Sequence, residues 1–200
     1  MGEILVTGFD AFAEVESNVS ESVVRALQSF WKRSPRLRTV VLPTAYAASA
    51  RELRDLIAAG GFDAIVMLGV ARGATEIQLE RVALNVADCE AEEHEEKVRR
   101  GEPTDARAPV GYWSTLPLAA MHARLDQAGV PARISNHAGT FVCNHAFFVA
   151  RCELERAGLD VPCGFVHLPD ADPGELVHAV AACLEVVVDL RASSTTRQPE

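Results

Sequence analysis

The sequence predicts one α/β domain built on a mainly parallel sheet, and three observations carry that prediction. Short, almost uniformly apolar runs recur along the chain: ILVTGF (Ile4 to Phe9), AIVMLGV (Ala64 to Val70) and GFVHL (Gly164 to Leu168). Runs that are apolar on both faces suit strands covered on both sides, as in parallel sheets. Longer segments of helical character lie between them, so strands and helices alternate. Finally, 200 residues with 48% hydrophobic content fill one core. With no internal repeat and no linker, residues 1–192 are expected to form a single domain and 193–200 a disordered tail.

Taken in order, the strand from Ile4 to Phe9 ends in a glycine turn. The loop Asp10 to Asn18 offers Asn18 or Ser20 as N-cap for a helix through Trp31. A second strand is expected over Thr39 to Thr44, then a helix over Ala47 to Ala59 that Gly60-Gly61 stops. Ala64 to Val70 and Ile77 to Asn85 are the third and fourth strands. Asp88 to Val110, with EAEEHEEKVRRGEP at its centre, reads as a solvated loop or hairpin. Leu116 to Ala128 is a helix closed by Gly129, followed by a short strand over Arg133 to Asn136. A helix over Cys143 to Ala157 precedes the strand Gly164 to Leu168, and Pro173-Gly174 open a last helix to about Leu190.

Charge and cysteine usage narrow the function. The formal net charge is −9, and the basic residues form no block larger than the few around Arg99 and Arg100. Nucleic-acid backbones require clustered cations, so nucleic acid is not an expected partner. Five cysteines (Cys89, Cys143, Cys152, Cys163, Cys183) form no CxxC pair, and no His/Cys group has zinc-site spacing. The start, MGEILVTGFD, lacks a basic n-region and a long apolar segment. These features predict a cytoplasmic protein with reduced thiols, no metal and no membrane contact.

The stretch SNHAGTFVCNHAFF (Ser135 to Phe148) carries the strongest chemical signal. It places Cys143 where a small-residue turn opens a helix, among free backbone N–H groups at the positive dipole end. That setting favours a thiolate and offers donors to an oxyanion; the plain alternative is a buried structural cysteine. A cysteine nucleophile needs a base and a group to orient the base. His145 projects away from Cys143 on a helix, His122 and His178 lie in amphipathic helices, His94 in the charged loop and His137 in the turn. His167 ends an apolar strand, and catalytic groups of open α/β sheets gather at such carboxyl ends; a satisfied core histidine is the alternative. In IQLERVALN the alternation puts Glu80 on one face with Val82 and Leu84, where an unpaired carboxylate is costly. An imidazolium partner resolves this, as does Arg81 or another cation at a sheet edge. LVTGFDAF and GVARGA lack the further glycines or the Lys-Ser/Thr of nucleotide-binding loops.

Together, AGTFVCNH (Ala138 to His145), ERVALN (Glu80 to Asn85), YWSTLP (Tyr112 to Pro117), LVTGF with Phe12, and GFVHLP (Gly164 to Pro169) resemble the pyrrolidone carboxyl peptidases, or pyroglutamyl peptidases I. The match runs in order from Ile4 to about Leu190. The resemblance implies a cytoplasmic cysteine exopeptidase that removes N-terminal pyroglutamate from peptides. It also implies a three-layer α/β/α sandwich with an open, mixed but mainly parallel sheet, a homotetramer, and no cofactor. It assigns Cys143 as nucleophile, His167 as base and Glu80 as orienter. Phe9, Phe12, Asn18, Phe141 and Val142 are assigned to a pocket for the flat, uncharged lactam ring. A weakly active homologue that only binds such N-termini, or a cysteine hydrolase of another small amide, are the rival readings.

The sequence departs from the family pattern in places. GFDAFAE stands where the family has GFxPFGG, Val70 where glutamine is common, and Arg72 and Ala74 at a glycine and an arginine. Glu90 replaces an arginine associated with the mouth of the site, and His137 a small hydroxyl residue. Arg72 is the candidate to replace the lost cation.

Overall fold

The computed structural model describes residues 2–11, 18–89 and 99–195. Phe12 and Glu90 therefore lie outside the described residues. The elements run β1 (Glu3–Phe9), α1 (Val19–Phe30), β2 (Leu37–Leu42), α2 (Tyr46–Ala59), β3 (Phe62–Val70), β4 (Ile77–Leu84), β5 (Ala87–Cys89), β6 (Arg99–Glu102), β7 (Gly111–Trp113), α3 (Leu118–Gln127), β8 (Ala132–His137), α4 (Val142–Arg156), β9 (Cys163–Leu168) and α5 (Pro173–Thr195).

Seven strands form one mixed sheet in the order β2-β1-β3-β9-β4-β7, with β8 also paired to β4. The β2, β1, β3 and β9 strands are mutually parallel, while β4 runs antiparallel to β9 and parallel to β8. Period-two alternation divides the side chains between two faces. In β3, Ala64, Val66 and Leu68 pack beneath α1, α3 and α5, while Ile65 and Met67 pack beneath α2 and α4. The expected three-layer sandwich follows from those two cores. In β9, Val166 and Leu168 belong to the first core and Phe165 to the second, so His167 faces the α2/α4 side.

Local chemistry explains most boundaries. Asn18 caps α1 by accepting from the Ser20 N–H at 2.9 Å. Gly60, at φ +69°, takes the left-handed turn that closes α2 and donates to the Leu56 and Ile57 carbonyls. β2 begins two residues before the expected Thr39 and ends at Leu42, two before the expected Thr44, where Pro43 has no N–H to extend the ladder. Parts of the charged Asp88–Val110 stretch form the antiparallel β5–β6 pair. Strand β7 was not anticipated: three residues give no period to read. The last helix runs to Thr195, past Leu190 and into the segment expected to be a disordered tail.

Candidate active site

Cys143 is the second residue of α4. Phe141, the N-cap residue, has no side-chain oxygen to offer, so the first N–H groups of the helix stay directed at the space before it. Asn144 fixes this end of the helix. Fully buried, it accepts from the Leu84 N–H at 2.8 Å and donates to the Leu84 and Val86 carbonyls at 2.9 and 3.0 Å. The helix that carries Cys143 is thereby fastened to the end of β4, the strand that carries Glu80.

Glu80 sits in the middle of β4, paired with Ser135 of β8 on one side and Phe165 of β9 on the other. Central placement buries it completely. Val82 and Leu84, which the alternation grouped with it, are only half-buried. In the β9/β4 register His167 stands opposite Gln78, which makes Glu80 its diagonal neighbour on the same face. His167 Nδ1 meets Glu80 Oε1 at 2.7 Å, while Arg81 turns to Asn136 Oδ1 at 2.6 Å. With Nδ1 engaged, Nε2 is the nitrogen left for the hydrogen bond between His167 and Cys143. A Cys–His–Glu chain thus crosses from α4 through β9 to β4.

Electrostatics separate the two buried histidines. Burial is the largest influence on His167 and pulls its pKa down. Hydrogen bonds and charge from Cys143 and Glu80 outweigh it and raise the pKa to about 9, so the ring is an imidazolium at neutral pH. His145 has the opposite fate: burial, then the positive charges of Arg99 and Arg54, lower it to about 4. It is neutral, stacked edge-on to Tyr46 at 4.9 Å with Thr104 Oγ1 3.3 Å from its Nδ1. His137 is exposed at the end of β8, while His122 and His178 bond the Ala132 and Gly174 carbonyls.

A cleft of about 550 Å³ opens over the sulfur. Phe9, Val19, Val70, Phe141 and Val142 give it apolar walls, and Asn18, Thr44, Arg72 and Asp170 supply its polar groups. Four of the five expected pocket residues (Phe9, Asn18, Phe141, Val142) therefore line it. Asn18 is largely committed: Oδ1 accepts from both Ser20 N and Ser20 Oγ, and Nδ2 donates to the Asp10 carbonyl. Thr44 holds the same loop by donating N–H to Asp10 Oδ1 and Oγ1–H to the Asp10 carbonyl.

Gly69 completes the site from below. It pairs with His167 across β3 and β9, and a Cβ there would lie 2.9 Å from Cys143 Sγ and 2.8 Å from Phe165 Cζ. The missing side chain is the space that the sulfur occupies. Gly69, Asn144 and Thr44 escaped the sequence reading. A glycine inside an apolar strand and an asparagine inside an apolar helix were the available signals for the first two.

The sequence profile of the pyroglutamyl peptidase family matches residues 2–189. A pyrrolidone-carboxylate peptidase of Bacillus cereus is 36% identical over 169 residues, covering 84% of this chain and 79% of that protein. The chain belongs to the pyroglutamyl peptidase family. A further pyrrolidone-carboxylate peptidase, from Bacillus licheniformis, is 34% identical over 167 residues, with 84% and 78% covered. Among solved structures, the pyrrolidone carboxyl peptidase of Pyrococcus furiosus superposes with a TM-score of 0.87 at 26% identity, over 94% of this chain and 99% of that one. That of Thermococcus litoralis gives a TM-score of 0.90 at 24% identity, over 97% and 96%, and supports the fold.

Proposed function

We propose that this protein is a cysteine exopeptidase that removes an N-terminal pyroglutamate from peptides. The observation that carries the proposal is the Cys143–His167–Glu80 chain lying beneath a mostly apolar cleft at a helix N-terminus. The lactam ring is flat and uncharged, so Phe9, Phe141 and Val142 suit it; the family resemblance adds Phe12, which lies outside the described residues. Such a substrate has no free α-amine for a carboxylate to hold.

Cys143 Sγ adds to the exocyclic carbonyl of pyroglutamate, and the carbonyl π electrons move onto oxygen. The N–H groups at the start of α4 stabilise that oxyanion. His167, oriented by Glu80, gives its proton to the leaving amine as the C–N bond breaks. A thioester remains on Cys143. Neutral His167 then takes a proton from water, whose oxygen attacks the thioester; collapse breaks the C–S bond, releases pyroglutamate and returns Cys143 Sγ and protonated His167 to their starting state. The residues perform these steps without a cofactor.

We further propose a cytoplasmic homotetramer. Its five free thiols suit a reducing compartment, and the family resemblance supports the assembly. Exposed Val110 and Trp113, at the edge strand β7, offer apolar surface for subunit contact.

Turnover of a chromogenic pyroglutamyl amide, run beside prolyl and glutaminyl amides, tests the reading. Cleavage of the pyroglutamyl amide alone supports it. Binding without efficient turnover points to the weakly active homologue, and preference for another amide to a different hydrolase.

A further inference from the structure

The cleft is divided by chemistry. Its apolar walls and Asn18, Thr44 come mostly from β1, the β2–α2 turn, the start of α1 and the residues around Cys143. The charged side chains that line it, among the described residues, are Arg72 and Asp170. Both are exposed, and both follow the carboxyl ends of the adjacent strands β3 and β9.

Stereochemistry assigns that end of the cleft. The group that protonates the departing amine must stand on the leaving-group side of the scissile bond, and His167 lies on β9. Asp170 follows His167 after Leu168 and Pro169. Arg72 follows Gly69, the residue paired with His167. The two strand ends are tied by the Ala71 N–H on the Leu168 carbonyl at 2.9 Å. Arg72 then sits in a turn closed by Ala74 N–H on the Ala71 carbonyl at 3.1 Å, with Gly73 at φ +76°. Ala171 N–H closes on the Pro169 carbonyl around Asp170. Both charges are therefore mounted on fixed turns at the place where the residue after pyroglutamate must lie.

We propose that Arg72 and Asp170 set the preference for that residue, selecting pyroglutamyl dipeptides with a basic second residue. Asp170 complements a Lys or Arg side chain. Arg72, with the longer reach, complements the free α-carboxylate one residue beyond the scissile bond. The inference rests on the peptidase reading above and adds which peptides it consumes.

Competition kinetics on four substrates decide it: pyroglutamyl-lysine, its C-terminal amide, pyroglutamyl-alanine and pyroglutamyl-alanine amide. The last carries no charge, and its turnover tests the peptidase reading by itself. In the parent, kcat/KM is expected to favour lysine over alanine, and acid over amide, each by about two- to fivefold, the range of exposed charge pairs. Arg72→Ala removes the acid-over-amide ratio and keeps the lysine-over-alanine ratio; Asp170→Asn does the reverse. Both ratios collapse towards one near 1 M salt, where screening acts within about 3 Å. A parent that cleaves the uncharged substrate yet shows neither ratio overturns the inference while leaving the peptidase reading intact. A uniform loss across all four substrates in Arg72→Ala also overturns it, since that pattern belongs to an oxyanion-stabilising cation.

Discussion

Replacing Gly69 with alanine tests whether the active-site geometry is as tight as described. The new Cβ would stand 2.9 Å from Cys143 Sγ and 2.8 Å from Phe165 Cζ. Ordinary contacts between such atoms fall at about 3.5–4.0 Å, so the sulfur must retreat by roughly 0.6–1.1 Å. The ring has less freedom than the sulfur. Phe165 is fully buried, with the Phe9 and Phe147 rings centred 6.4 and 6.2 Å away. Overpacking of this kind costs about 1–3 kcal/mol, or a Tm loss of about 2–12 °C in a chain of this size. Moving a nucleophile by about 1 Å costs roughly 10²-fold in rate. The folded Gly69→Ala protein is therefore expected to lose about 10² in kcat/KM on a pyroglutamyl amide, and to react more slowly with iodoacetamide at Cys143. Retention of kcat/KM within about threefold, with unchanged Tm, would show that the sulfur does not occupy this space.

Four further outcomes follow from the same geometry. Iodoacetamide near neutral pH should label Cys143 first: burial raises Cys163 and Cys183 to about 12, Cys152 is buried, and Cys89 ends strand β5 instead of opening a helix; equal labelling in time-resolved peptide maps contradicts this. Glu80→Gln keeps the shape but loses the charge facing His167, so turnover should fall by on the order of 10³–10⁴ with circular dichroism unchanged; retained activity would falsify the Glu80 assignment. Because His167 is raised to about 9, the stability it contributes is complete below its unfolded value of about 6.5 and is lost as pH rises through 9. The parent's advantage over His167→Gln in denaturant melts should shrink across that window, and kcat/KM should fall above pH ~9 as the imidazolium loses its proton. Asn144→Ala removes three hydrogen bonds of a buried side chain between α4 and the β4 end and should cost about 2–4 kcal/mol by denaturant titration; a loss below about 0.5 kcal/mol would mean that the clamp does not hold α4 to β4.

The three residues that meet in the Cys143–His167–Glu80 chain were legible because each breaks a local pattern. Cys143 opens a helix after a small-residue turn, His167 ends an apolar strand, and Glu80 interrupts another. The reason for Glu80's burial was not legible. It comes from β8 and β9 flanking β4, a matter of strand order that alternation within IQLERVALN cannot reveal. Gly69 was visible as an isolated strand glycine, but its meaning depends on which atom approaches it from α4. Thr44 and Asp170 carry no local signal at all: their roles arise only when the loops after β1, β2 and β9 meet around one cleft. Strand β7 failed for a different reason. Its three residues are strand by virtue of pairing with Val82 to Leu84 of β4, not by their own pattern.

The proposed mechanism requires that Cys143 become acylated by pyroglutamate. Mixing the enzyme with a pyroglutamyl amide, quenching in acid within the first turnovers and mapping peptides by mass spectrometry measures that directly. A pyroglutamyl thioester is expected on the peptide containing Cys143 and absent from Cys143→Ser. Steady turnover with the acyl group on another residue, or undiminished turnover by Cys143→Ser, would contradict it.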